Sequence, residues 1–369
     1  MFPSFHAPRD GGSETLPAGP GTNRTNQRRG AASDVKAIVV LSVLSFVGVL
    51  ALLAALARLL APDFLAAGTN TRSNHRAPAR QIGGLAIIPV SIASLLVAAF
   101  VDPGSTRACL AIGASMAMLM AVGFIDDARD LRAMPKLGIQ LAAAAIALWG
   151  AAPSPGLFYF GLPQPVELAL LFVVLVWFVN LTNFMDGLDL MAVSGLGVPL
   201  LIAAGLLVGL GSTAGWAVAL ATATGAGFAA FAIFNRPPAK LFLGDNGSLP
   251  AGLAAGIVFL ALAEQISVWG AWIPFGYFIV DATSTVVLRL VRGRNVFQAH
   301  SEHAYQIAFR AGRSVPWICV RVIAATLAAT AVLLVGTILG WSPAVPFVAG
   351  LAIHALLCAS FRRQRPKGQ

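Results

Sequence analysis

The sequence predicts an all-α polytopic membrane protein with about 11 transmembrane helices. Three observations predict it. Only 11% of the 369 residues are charged while 57% are hydrophobic. The mean hydropathy is +0.79. The apolar residues fall in long continuous runs. A hydrocarbon core about 30 Å thick takes about 20 apolar residues per helix. Unbroken runs, as opposed to alternating ones, select helices over a barrel.

Taken in order, residues 1–36 are rich in Gly, Pro, Ser and Thr and are expected to form a disordered tail. The run that follows is too long, and lacks a small-residue cleavage site, for a signal peptide. The apolar stretches are 37–60, 82–101, 107–125, 137–152, 166–183, 190–210, 214–234, 248–264, 270–290, 316–339 and 343–360. They make one membrane domain, 37–360, with a basic tail at 361–369. Cys109, Cys319 and Cys358 lie in apolar runs and show neither a disulfide framework nor a zinc pattern.

The net charge of +10 does not imply a nucleic-acid partner. Past the first 36 residues, Lys and Arg crowd every second loop: Arg58 to Arg80, Arg129 to Lys136, Arg236 with Lys240, Arg289 to Arg313, and the C-terminus. The opposite loops hold Arg107. This positive-inside bias predicts that the basic loops face the cytoplasm. With an odd helix count, it leaves the N-terminal tail outside.

The acids gather on the same side, in compact motifs. "VGFIDDARDLR" ends an apolar helix with Asp126 and Asp127, and Asp130 returns to the face of Asp126 four residues on. "VNLTNFMDGLDLMA" repeats Asn180, Asn183, Asp186 and Asp189 every third residue, a polar side at a helix end with Gly187 for a turn. Amide oxygens beside carboxylates can ligate Mg²⁺ or hydrogen-bond a nucleobase. "KLFLGDNGSLPAGL" sets Asp245 between glycines before Ser248, which can cap the next helix. Such a turn offers N–H groups to an anion while the acid holds a metal. "NVFQAHSEHAYQ" puts His300 and His303 three apart, able to share a helical face amid arginines and to donate to phosphate. "TNTRSNHRAPARQIGG", with Arg72, His75, Arg76 and Arg80, is either a solvated loop or a clamp for a phosphate or lipid headgroup. His354, alone in the last apolar run, reads as packing.

In that order the motifs resemble the polyprenyl-phosphate N-acetylhexosamine-1-phosphate transferases (glycosyltransferase family 4), over about Asn70 to Gly312. "HSEHAYQ" is similar to the undecaprenyl-phosphate N-acetylglucosamine-1-phosphate transferase-like branch, and it lacks the triple histidine of the muramoyl-pentapeptide transferases. Two departures stand out. Leu190 replaces a glycine of the family's D-G-x-D-G-L-A, and "PARQIGG" replaces P-x-P-R-G-G-G.

The resemblance implies a multi-pass enzyme of the bacterial inner membrane with its active site facing the cytoplasm. It would transfer a sugar-1-phosphate from a UDP-sugar to undecaprenyl phosphate and release UMP, initiating O-antigen or exopolysaccharide synthesis. It implies Mg²⁺, with Mn²⁺ as a substitute, on Asp245 and with Asn183 as a further oxygen ligand. Asp126 and Asp127 would position or deprotonate the lipid phosphate. Asp186, Asp189 and Phe242 would line the nucleoside pocket, beside Asn183. His300 and His303 would hold the donor phosphates, and Arg72, His75 and Arg80 the lipid phosphate. The oligomeric state stays open, a homodimer included. Two rivals are a prenyltransferase using D-D-x-x-D and a transporter. The first orphans the "GDNGS" and His motifs. The second should carry acids in mid-helix, where only Asp281 fits.

Overall fold

The computed structural model describes residues 20–66, 79–158, 161–295, 298 and 300–364, with side chains from Val35 onward. It is all-α as expected. Helices α1 (Pro20–Leu59), α2 (Gly84–Val101), α3 (Thr106–Arg129), α4 (Ala133–Ala151) and α5 (Gln164–Met185) form the first half. Helix α1 begins inside the stretch whose composition suggests a tail, and its apolar span is Val35–Leu59. Then come α6 (Val198–Gly209), α7 (Gly215–Asn235), α8 (Asp245–Ile266), the single turn α9 (Val268–Ala271), α10 (Gly276–Val291), α11 (Ala304–Arg310), α12 (Val315–Ile338) and α13 (Ala344–Arg362).

Among the described residues, ten helical spans are long and apolar enough to cross a membrane, α9 and α10 together making one of them. The stretch 190–210 is the exception. It enters through a π-helical turn, Val193–Gly197, before α6, and the combined apolar helix is Val193–Gly209. At 1.5 Å per residue it reaches only about 25 Å, short of a ~30 Å core.

Helix α8 is the hub. Every residue from Asn246 to Ala263 is buried. It packs against α5, α3, α7, α2 and α6. Its sequence "GSLPAGLAAG" explains this, since small side chains let helices close on it without a hydrophobic drive between them. The peripheral helices instead expose apolar side chains such as Phe100, Val173 and Val348, as a lipid-facing surface should. The consequence for function is positional: the N-terminus of α8, where Asp245 lies, is held at the end of the most enclosed helix.

Candidate active site

The chain approaches α8 through a short pairing with the segment before α2. Phe242 N–H donates to Arg80 O (2.8 Å), Gly83 N–H to Phe242 O (2.9 Å) and Gly84 N–H to Leu243 O (3.0 Å). This is what the diglycine of "PARQIGG" does. Gly244 follows with φ +75°, a region favouring glycine. Helix α8 then starts at Asp245, four residues earlier than a Ser248 cap would place it. Asp127 supplies the cap from α3. Its Oδ1 accepts from Asp245 N–H (2.9 Å), and its Oδ2 accepts from Asn246 N–H (3.0 Å) and Asn246 Nδ2 (2.6 Å). The carboxylate satisfies N–H groups that a helix start otherwise leaves open, and it meets the positive helix end. Close approach of α3 allows this: a Cβ on Gly123 would lie 2.3 Å from the Asp245 carbonyl.

Asp245 faces outward from that start. Asn183, two residues before the end of α5, donates from Nδ2 to Asp245 Oδ1 (2.7 Å) and to Ser248 Oγ (3.0 Å). Lys136 Nζ bridges the Asp245 carboxylate and Asp126 Oδ2, the latter at 2.7 Å. Asp126 Oδ1 also accepts from Leu131 N–H (2.7 Å). One ammonium therefore holds together two carboxylates from α3 and α8. Asp130 does not join them. It is exposed and ends α3 with φ +49°, so the last acid of D-D-x-x-D stays outside this centre.

Beside this centre the chain turns at the end of α5. Among the described residues no cation pairs with Asp186. Burial, then the charges of Asp245, Asp127 and Asp189, push its carboxyl up to about 7. Asp189 is buried and accepts from Ala239 N–H at Oδ2 (3.1 Å). Leu190 N–H donates to Asn235 Oδ1 (2.7 Å), and Asn235 Nδ2 to Leu241 O (2.9 Å). Asn235 thus ties this turn to the strand-like entry of α8, next to half-buried Phe242. Leu190 sits at φ +61°, a conformation glycine takes without strain. That is the physical content of the glycine-to-leucine departure.

The histidines reach the same end of the bundle from α10 and α11. Gly187 lies against the Tyr305 hydroxyl and the Gln306 amide. His300 and His303 do not share a helix. His300 is in the loop, and His303 is the N-cap of α11 in a capping box with Gln306. Their rings still meet, at 5.1 Å between centroids. Burial first, then His303 and Arg289, lower the His300 imidazole to about 4, so it is neutral at neutral pH. His300 lines an open polar cavity of about 560 Å³ with Arg289, Arg294, Ser301, Glu302 and Arg310. Glu302 pairs with Arg289 (2.5 Å) and Arg294 (2.9 Å).

Sequence reasoning passed over three residues here. Lys136 was assigned only to topology, although a cation in the first turn of α4 opposes the helix dipole and so needs an acid partner. Asn246 looked like a spacer. Asp281, fully buried in α10, accepts from Tyr277 Oη (3.1 Å), Thr285 Oγ1 (3.2 Å) and Ala304 N–H (2.8 Å), and its Oδ1 lies 3.8 Å from His303 Nδ1. It fastens the start of α11, and hence His303. Arg80 spends Nη1 and Nη2 on Leu60 O (3.1 Å) and Ala57 O (2.9 Å), closing the end of α1. Arg72 and His75, the other two residues assigned to the lipid phosphate, lie outside the described residues. His354 is buried, with Nε2 3.2 Å from Ile273 O, which agrees with a packing role.

Helix ends from across the bundle thus bring an ammonium, five aspartates, three asparagine amides and a neutral imidazole to one edge. Fold and site together define an all-α, multi-helix membrane protein with a polar cluster at its helix ends. The chain belongs to glycosyl transferase family 4, whose model matches residues 109–263. It is 30% identical over 285 residues to the phospho-N-acetylmuramoyl-pentapeptide-transferase of Synechococcus sp. (strain CC9605), covering 67% of this chain and 77% of that one. Against the decaprenyl-phosphate N-acetylglucosaminephosphotransferase of Mycolicibacterium smegmatis it is 29% identical over 325 residues, covering 77% and 80%. With the phospho-N-acetylmuramoyl-pentapeptide-transferase of Gloeothece citriformis the identity is 30% over 224 residues, 56% of this chain and 58% of that one. The chain spans 58% to 60% of the length of three such relatives.

Proposed function

We propose that the protein transfers an N-acetylhexosamine 1-phosphate from a UDP-sugar to undecaprenyl phosphate, in the inner membrane and from the cytoplasmic side. The observation that carries this is the Lys136 ammonium set between Asp126 and Asp245 at the start of α8. Bringing two phosphate anions together is the main obstacle in phosphoryl transfer, and fixed cations with helix N–H groups oppose it.

In the proposed step a lipid phosphate oxygen attacks the β-phosphorus of the donor. The bond from that phosphorus to the oxygen bridging it to the α-phosphorus breaks. UMP leaves with the electron pair, and the lipid becomes a diphosphate sugar. Lys136 neutralises charge on the approaching phosphates, and Asp126 keeps it aimed. Asp127 holds the helix start. The lipid phosphate is ionised near neutrality, so these groups orient more than they deprotonate. His300, neutral, and the arginines of the basin would take the diphosphate, while Asp186, Asp189 and Phe242 border the nucleoside.

The donor set fits Mg²⁺. Asp245, Asp126 and Asn183 offer only carboxylate and amide groups. Among the described residues no three His, Cys, Asp or Glu form a ready cage. Mg²⁺ commonly binds through one or two carboxylates and substrate phosphates. Held by Asp245 with Asn183, it would supply charge neutralisation at the transferring phosphate. The prenyltransferase reading is weakened, since Asp130 is exposed at the end of α3 and takes no part in the contacts that Asp126 and Asp127 make. The paired histidines and the greater length matched by the N-acetylglucosaminephosphotransferase favour a simple N-acetylhexosamine donor over a muramoyl peptide.

Purified protein incubated with undecaprenyl phosphate, Mg²⁺ and a panel of UDP-sugars should release UMP with a UDP-N-acetylhexosamine. No UMP from any donor, by protein that retains its fold, would overturn the proposal.

A further inference from the structure

The N-terminal end of α12 carries a cluster that the proposed reaction does not use. The guanidinium of Arg321 lies 3.6 Å from the centroid of the Trp317 ring, and that of Arg313 lies 4.9 Å from it. Both arginines are exposed and the indole is half-buried. Their polar contacts are Arg321 Nη1 to Trp317 O (3.4 Å) and Arg313 Nε to Gln364 Oε1 (2.8 Å). Among the described residues neither pairs with a carboxylate. Two exposed cations thus share one ring with no carboxylate of the described residues beside them, which leaves both charges available to an anion from outside.

Position narrows the source of that anion. Arg321 lies inside the apolar span Val315–Ile338, about 10 Å along the helix from the Ser314 cap. An exposed guanidinium there folds back toward the interface, as the stack on Trp317 does. Val320, Leu327 and Leu334 are exposed along the same helix, each seven residues on, so they form one stripe. The stripe runs for about 21 Å, which is acyl-chain length. Cys319, on the buried side of the helix with Ile318, Val322 and Ala329, touches the Asp189 loop, so the exposed stripe lies on the outer side of the bundle.

We propose that this face holds an anionic phospholipid, its phosphodiester between Arg313 and Arg321 and its chains along Val320, Leu327 and Leu334.

The test places the whole protein in nanodiscs of zwitterionic phospholipid. Brominated phosphatidylglycerol or brominated phosphatidylcholine is added at equal mole fraction, and Trp317 emission is taken as the difference between wild type and Trp317→Phe. Phosphatidylglycerol should quench that component in clear excess, local enrichment being about five-fold per arginine. Arg313→Gln with Arg321→Gln should remove the excess while leaving the melting temperature unchanged, as expected for exposed positions. Should the pair fold poorly, Arg321→Gln alone should still halve the excess or more. Equal quenching by the two lipids in wild type, or an excess that survives the substitutions, would overturn the proposal. So would loss of the excess on adding equimolar undecaprenyl phosphate, which would give the site to the substrate lipid.

Discussion

Asp127 grips Asn246 twice, accepting its backbone N–H at 3.0 Å and its side-chain amide at 2.6 Å through one carboxylate oxygen. The other oxygen takes the N–H of Asp245. A residue adjacent to a candidate catalytic acid is therefore the external cap of the helix that presents Asp245. Asp127→Ala should leave buried donors without an acceptor, at about 1–3 kcal/mol each. The expected outcome is a lower melting temperature together with reduced UMP release. Asp126→Asn should reduce UMP release while moving the melting temperature much less. Equal thermal effects of the two would refute this division of labour.

Lys136 is expected to matter as much as the acids. Lys136→Met removes the cation between Asp126 and Asp245 and leaves like charges facing each other. Turnover should fall by about two orders of magnitude or more, since a positioned cation at a transferring phosphate is worth several kcal/mol. Lys136→Arg should not restore it, because the planar guanidinium cannot replace a compact ammonium between two carboxylates. UMP assays in matched membranes decide this, and a Met variant with near-normal turnover would sink the assignment.

Asp186 gives a signed pH effect. Its folded pKa of about 7 lies above the ordinary 3.8. Between those values the folded state keeps a proton that the unfolded state has lost, so raising the pH through that window removes stability. Asp186→Asn should therefore melt with wild type near pH 4 and above it at pH 8. Parallel melting curves across that range would contradict the shift.

Asp281 should act through His303. It is fully buried and joins α10, α11 and, through Arg362 (3.4 Å), α13. Breaking such a buried constellation costs about 3–5 kcal/mol, so Asp281→Ala should fold poorly. Asp281→Asn, which keeps the shape, should fold and raise KM for the UDP-sugar more than it lowers kcat. A change confined to kcat would place Asp281 nearer the chemistry than the geometry does.

The orientation of the bundle is open to a direct check. Reporters fused after Arg132, Lys240 and Arg294 should report cytoplasm, and those near Pro155 and Gly340 the opposite side, following the Lys and Arg distribution. A cytoplasmic signal at Pro155 would move the whole site to the other face.

The sequence by itself determined that this chain is a bundle of membrane helices and that the acids, amides and histidines of its compact motifs sit near helix ends. Both are local properties. Whether twenty residues suit hydrocarbon depends on those residues alone, and a carboxylate at the end of a run declares itself by breaking it. The one stretch that fell short, 190–210, did so because hydropathy does not register a π turn or a length set by packing on α7 and α8. What each polar group does was decided only by the tertiary structure. Asp126 and Asp127 are neighbours in the chain, yet one holds Lys136 and the other caps a helix 118 residues away. His300 and His303 meet across a loop, and Arg80 closes α1. Hydrogen bonds and ion pairs act over about 3 Å. Their partners are therefore fixed by which helix ends the close-packed small residues of α8 bring together, a long-range outcome that no local pattern encodes.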